Sequence, residues 1–142
     1  MLSFKNYELK PFGEFLANLQ LKNKASRARS KLVQKIESKL QEYSNDQNEI
    51  IEKYGEHDDS GNLIRDGNGQ VIWRDGKINE VNKALQELNE EQTYLNIDEY
   101  RPNIKFLTVA LDSLDQEFSA QEATIYDRIM DILEEETKEK ED

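Results

Sequence analysis

The residue types best placed to do chemistry in this 142-residue chain are cations packed into one short run: Lys22, Lys24, Arg27, Arg29, Lys31, Lys35 and Lys39, interrupted only by Glu37. Residues 1–40 carry nine Lys/Arg against three Asp/Glu, formally +6, whereas residues 41–142 carry ten against twenty-seven, formally −17, which together give the net −11. Such a chain has a basic end suited to holding an anion and an acidic remainder that repels nucleic acid. On a helical wheel with Lys24 at zero, Arg27, Lys31, Lys35 and Lys39 fall at about 300°, 340°, 20° and 60°. They form a ridge beside an apolar stripe, expected either to pack along the acidic second half of the chain or along another copy, or to hold phosphates or an acidic protein. Arg29 stands apart at about 140°, inside the apolar sector, and is expected either to pair with a carboxylate in partial burial or to point into a partner.

Other chemistry is sparse. There is no cysteine, which excludes disulfides, thiolate metal sites and a cysteine nucleophile, and fits a reducing compartment. The single histidine, His57, sits in a polar turn. No serine or threonine lies in a nucleophile elbow, and no glycine-rich loop joins a strand to a helix. The aspartate clusters invite a calcium reading that the spacing rejects. A loop opened at Asp58 puts Leu63 sixth and Gly69 twelfth, and one opened at Asp66 puts Val71 sixth and Lys77 twelfth. The sequence therefore points to no catalytic residues, no metal and no cofactor. With thirty acids in the chain, paired carboxylates select nothing.

The elements that must position these groups are mainly helical. From Lys24 to Tyr54 there is no Gly or Pro, and Ala25, Ala28, Leu32, Ile36, Leu40, Tyr43, Ile50 and Tyr54 follow one stripe. One long helix of roughly 45 Å is expected, ended by Gly55. Its charge runs basic first and acidic late, against the helix dipole, so local helix energetics do not place those charges. Before it, Leu2, Phe4, Tyr7 and Leu9 look extended, and Pro11, Phe12, Phe15, Leu16 and Leu19 mark a short helix. Residues 56–76 carry two turn clusters that bracket Leu63–Arg65 and Val71–Arg74, a β-hairpin pattern with its register open. Ile78, Val81, Leu85 and Leu88 define a further helix, Thr93–Ile97 an extended stretch, and Pro102 the start of a helix through Ile104, Leu107, Leu111 and Leu114. Ser119-Ala120-Gln121-Glu122 is a capping box that opens a last helix. No internal repeat is evident. The fold class is thus mainly α with a small β component: one long central helix, three or four shorter helices and a protruding hairpin. We expect a single domain over 1–142, with the hairpin inserted at about 57–76 and an acidic tail fraying from about 134 to 142. The longest apolar run, Phe106–Leu111, is far short of the roughly 20 residues that span a bilayer.

Two runs resemble a known family. Leu21-Lys22-Asn23-Lys24-Ala25-Ser26-Arg27-Ala28-Arg29 and Ser119-Ala120-Gln121-Glu122-Ala123-Thr124-Ile125-Tyr126-Asp127, with the Asp59-Ser60-Gly61-Asn62 turn between them, are similar to small uncharacterised proteins encoded by phages and prophages of Gram-positive bacteria. The resemblance implies a phage origin, genes near tail and lysis functions, and no catalytic residue.

These features lead to a non-enzymatic protein that binds another macromolecule in the bacterial cytoplasm, or on a virion, without a membrane. As a virion-assembly accessory it would dock an acidic neighbour through Lys24, Arg27, Arg29, Lys31 and Lys35. As an inhibitor of a host defence or replication protein it would present acids that resemble DNA phosphates, the candidates being Asp58, Asp59, Asp66, Glu134, Glu135 and Glu136. Trp73 either covers the small hairpin core or anchors a partner. The alternative is nucleic-acid binding through the basic ridge. The nearly heptad stripe also allows a homodimer.

Overall fold

The computed structural model describes residues 1–141 and is mainly helical. In chain order the elements are β1 (Leu2–Lys5), α1 (Leu9–Ala17), α2 (Asn23–Tyr54), α3 (Ile78–Glu90), β2 (Gln92–Leu95), α4 (Arg101–Asp112) and α5 (Ala120–Glu141), with short 3₁₀ turns at Asn6–Glu8 and Asp98–Tyr100. The Gly- and Pro-free stretch is one uninterrupted helix of 32 residues. Residues cluster into two compact units. One comprises Met1–Leu40 with the residues from Gln92 onward, and the other Gln41–Glu91.

The first unit holds the main core. β1 and β2 pair antiparallel, with Leu2 opposite Leu95 and Phe4 opposite Thr93, so alternate residues turn Leu2, Phe4 and Leu95 inward. Against them pack Leu9, Phe12 and Leu16 of α1, Ala28, Leu32 and Ile36 of α2, Ile104, Leu107 and Leu111 of α4, and Ile129 and Leu133 of α5. Phe4 and Phe12 meet edge to face at 5.0 Å, a favoured aromatic geometry. The α2 stripe is buried only over Ala25–Ile36. Farther along, Leu40, Tyr43, Ile50 and Tyr54 are half-buried.

The capping box forms as its sequence requires. The Glu122 amide donates to Ser119 Oγ and the Ser119 amide to Glu122 Oε1, each at 3.2 Å. Ser119→Ala is expected to cost about 1 kcal/mol. A urea midpoint that drops with an unchanged slope checks this.

In the second unit α2 and α3 are joined by a Tyr43 hydroxyl donating to Asn89 Oδ1, with Val81 and Leu88 buried. The expected hairpin is present, with Arg65 bridged to Val71. Its register is a three-residue loop: the Asp66 amide donates to Gln70 O (2.8 Å), the Gly69 amide to Asp66 O (3.0 Å), and Gly69 takes φ +79°. An equivalent turn precedes it, with His57 bridged to Leu63 and Gly61 at φ +84°. A Gly55–Trp73 bridge then closes the set. The result is an eight-residue period. The Glu56 amide donates to Ile72 O, Ile72 to Ile64 O, and Ile64 to Glu56 O, at 2.8–2.9 Å. This corrects the reading that no internal repeat is present: Asp58 and Asp66, Gly61 and Gly69, and Ile64 and Ile72 recur eight residues apart, a period carried by too few copies to stand out along the chain.

The acidic stretch from Glu134, expected to fray, stays helical through Glu141, and Asp142 lies outside the described residues. Among the described residues no helix is long and apolar enough to cross a membrane.

Candidate functional site: a cationic face with two aromatic rings

The cationic run lies in the first turns of α2, where Ala25, Ala28, Leu32 and Ile36 face the core and leave the intervening residues outward. Lys24, Arg27 and Lys31 are exposed, and Lys35 is half-buried. None of these four forms an ion pair among the described residues, although the chain is rich in acids. Three of them, Lys24, Lys31 and Lys35, have aromatic neighbours instead. Lys24 Nζ lies 4.7 Å from the centre of the Phe106 ring, and Lys31 and Lys35 Nζ lie 5.6 and 5.8 Å from that of Tyr100, within cation–π range.

Sequence reading missed both rings. α4 turns Ile104, Leu107 and Leu111 inward, and that same 3.6-residue period leaves Phe106 50% and Val109 66% exposed. Two large apolar residues on the outward face were the available signal. Tyr100 ends the 3₁₀ turn before α4, and no helical pattern marks it.

A groove of about 310 Å³ opens beside Tyr100, lined by Lys31, Gln34, Lys35, Ser38, Glu99 and Tyr100. Positions 31, 34, 35 and 38 recur at helical spacing along one face of α2. Tyr100 is 5% exposed, and its hydroxyl is the one buried side-chain polar atom without a hydrogen-bond partner among the described residues. Burial, reinforced by the Glu99 charge, pushes this hydroxyl up to about 12, so it stays a protonated donor near neutral pH.

Arg29 does not belong to this face. Its guanidinium donates to the carbonyls of Leu16 and Leu19, where α1 ends, and reaches Ser26 Oγ at 3.5 Å. A cation at a helix C-terminus satisfies orphan carbonyls and the negative end of the dipole, so Arg29 needs neither a carboxylate nor a partner.

The acidic candidates are divided. Asp58 Oδ1 accepts from the amides of Ser60 (2.9 Å) and Asn62 (3.0 Å), and Asp66 Oδ1 from those of Asn68 (2.8 Å) and Gln70 (3.0 Å). Both carboxylates serve their own turns. Asp59 is exposed, as are Glu134 and Glu135, whereas Trp73 is half-buried. Glu136 is 5% exposed and accepts from Arg101 Nη1 (2.9 Å) and the Met1 amino group (2.7 Å), which removes it from the surface acids. His57, in its exposed turn, pairs with Glu52 at 2.7 Å. Among the described residues no three His, Cys, Asp or Glu gather where they could hold a metal.

A family described as "Protein of unknown function (DUF1617)" matches residues 1–141. Neither a curated protein nor a solved structure matches the chain.

Proposed function

The chain belongs to the DUF1617 family, and we propose that it is a non-enzymatic, phage- or prophage-encoded protein whose cationic α2 face docks an acidic surface of another protein. The observation that carries this reading is the row of exposed Lys24, Arg27 and Lys31 with half-buried Lys35, left without ion pairs among the described residues in a chain of net charge −11. Exposed charges arranged in this way steer encounter and set orientation. Phe106 and Val109 add apolar area of the kind that becomes buried in an interface. The run at Leu21–Arg29 that resembles phage proteins is the run that builds this face.

The acidic-inhibitor form has less support, because Asp58, Asp66 and Glu136 are engaged internally. A virion-assembly accessory is the form we favour. The test is affinity capture from phage-producing host cells with the protein and with the triple variant Arg27→Glu/Lys31→Glu/Lys35→Glu. We expect one acidic virion component to be captured, and the variant and raised salt each to weaken capture by about tenfold. Capture that is indifferent to both sinks the reading.

A second reading is binding of nucleic acid, favoured by the exposed Phe106 ring beside Lys24. Anisotropy with duplex and single-stranded DNA addresses it. Neutralising three phosphates gives a log–log salt slope of about −2.7 on a duplex, and no binding at low salt removes this option.

A further inference from the structure

We propose that the groove beside Tyr100 is an oxyanion site of the phosphate class, in which Lys31 and Lys35 supply charge and the Tyr100 hydroxyl donates a hydrogen bond. The site does not rest on the docking reading, since a phosphate can bind here whether or not a protein partner does.

Two independent observations converge. The first is electrostatic: two lysines one helical turn apart line the same groove, and neither has an ion pair among the described residues. The second is a donor without an acceptor. A hydroxyl buried without a partner costs free energy, and native structures rarely keep one unless a water or an ion serves it. Both lysine ammonium groups lie within cation–π range of the Tyr100 ring, and their flexible stems let them swing onto an anion in the groove. Ser38 Oγ and the Gln34 amide add donors along the same wall.

The lining also selects among anions. Five donor groups suit a tetrahedral anion with several acceptor oxygens better than a two-oxygen carboxylate. Glu99, the single carboxylate of the groove, repels a fully ionised anion but accepts from the P–OH of a monoprotonated phosphate. Sulfate has no such proton at about pH 6, where inorganic phosphate and much of a phosphate monoester still carry one. At about 310 Å³ the groove is at the lower end of small-molecule sites, with room for the organic part of a phosphate monoester.

The experiment is an NMR titration of the full chain at constant ionic strength, with inorganic phosphate, glycerol phosphate, sulfate and chloride as probes. We expect saturable phosphate shifts at residues 31–38 and 99–100, with sulfate about tenfold weaker. Tyr100→Phe is expected to weaken phosphate binding about tenfold, the value of a hydrogen bond to a charged group. In phosphate-free buffer the same variant should unfold no earlier than the parent, because it discards an unpaired hydroxyl. Lys31→Ala/Lys35→Ala, at surface-facing positions, should abolish binding. Tighter binding of glycerol phosphate points to an organic phosphate, and equal binding to the free ion. Absence of saturation below about 10 mM, equal shifts with sulfate or chloride, or undiminished binding by Tyr100→Phe each overturn the assignment.

Discussion

An Arg101→Met variant is expected to lose about 3 kcal/mol of unfolding free energy at neutral pH, the lower end of the range for breaking a buried ion pair. Arg101 is partly exposed and supports Glu136, at 5% exposure, from one side, while the Met1 amino group supports it from another. Burial alone would raise the Glu136 carboxyl, but the hydrogen bonds from the Met1 amino group and Arg101 outweigh it and hold the group below its ordinary value. A depressed carboxylate contributes stability that is fully present above its unfolded value of about 4.5 and is lost as pH falls through the lower folded value. Without Arg101, Glu136 keeps only the Met1 amino group against its burial and protonates more readily, so the deficit of the variant shrinks on acidification. Urea unfolding of both proteins at pH 7 and at about pH 4 measures this. A deficit of equal size at both pH values removes the linkage to Glu136. The Glu136→Gln variant should show a flatter acid limb than the parent for the same reason.

The burial of Glu136 shows where sequence reading stops. Glu134, Glu135 and Glu136 are chemically identical in the sequence, and their acidic run looks solvated from end to end. Only helical phase and the approach of Arg101, 35 residues away, single out the third. The pairing of β1 with β2 was illegible for a related reason. Each strand is four residues long, too short for alternation to specify a partner, and the pairing joins positions about ninety residues apart. Local rules read well by comparison. The absence of Gly and Pro gave α2, Ser119 and Glu122 gave the start of α5, and Asp66 with Gly69 gave a turn whose loop length the structure then fixed. The cationic ridge was legible as a ridge because its spacing is intrahelical. Its aromatic companions were not, because Tyr100 and Phe106 arrive from other elements, the 3₁₀ turn and α4. Arg29 fell between the two cases. The wheel placed it correctly in the apolar sector, but its partners are carbonyls at the end of α1, and backbone acceptors leave no mark in a side-chain pattern.

Gly55→Ala is expected to destabilise the second unit by about 3 kcal/mol, the upper end of the overpacking range. A Cβ at Gly55 would lie 2.5 Å from Leu63 Cδ2, 2.9 Å from the Ile51 carbonyl oxygen and 3.1 Å from Val71 Cγ1. The leucine methyl could rotate away, but the carbonyl cannot, because it accepts the Gly55 amide at 2.8 Å in the last turn of α2. Relief therefore requires the chain to leave the helix at a different angle. That shifts Glu56, which donates to Ile72 O and accepts from the Ile64 amide, so one added methyl disturbs two of the three bonds in the eight-residue ring. Hydrogen exchange reads the effect at its source. The Glu56 and Ile64 amides should lose roughly a hundredfold in protection, the exchange equivalent of about 3 kcal/mol, with Ile72 following as the ring opens. Gly67→Ala is the matched control, since its added Cβ has nothing within 4 Å. If Gly55→Ala exchanges like that control, close packing is not why glycine ends the long helix, and the hydrogen-bonded ring does not depend on the exit angle at this position.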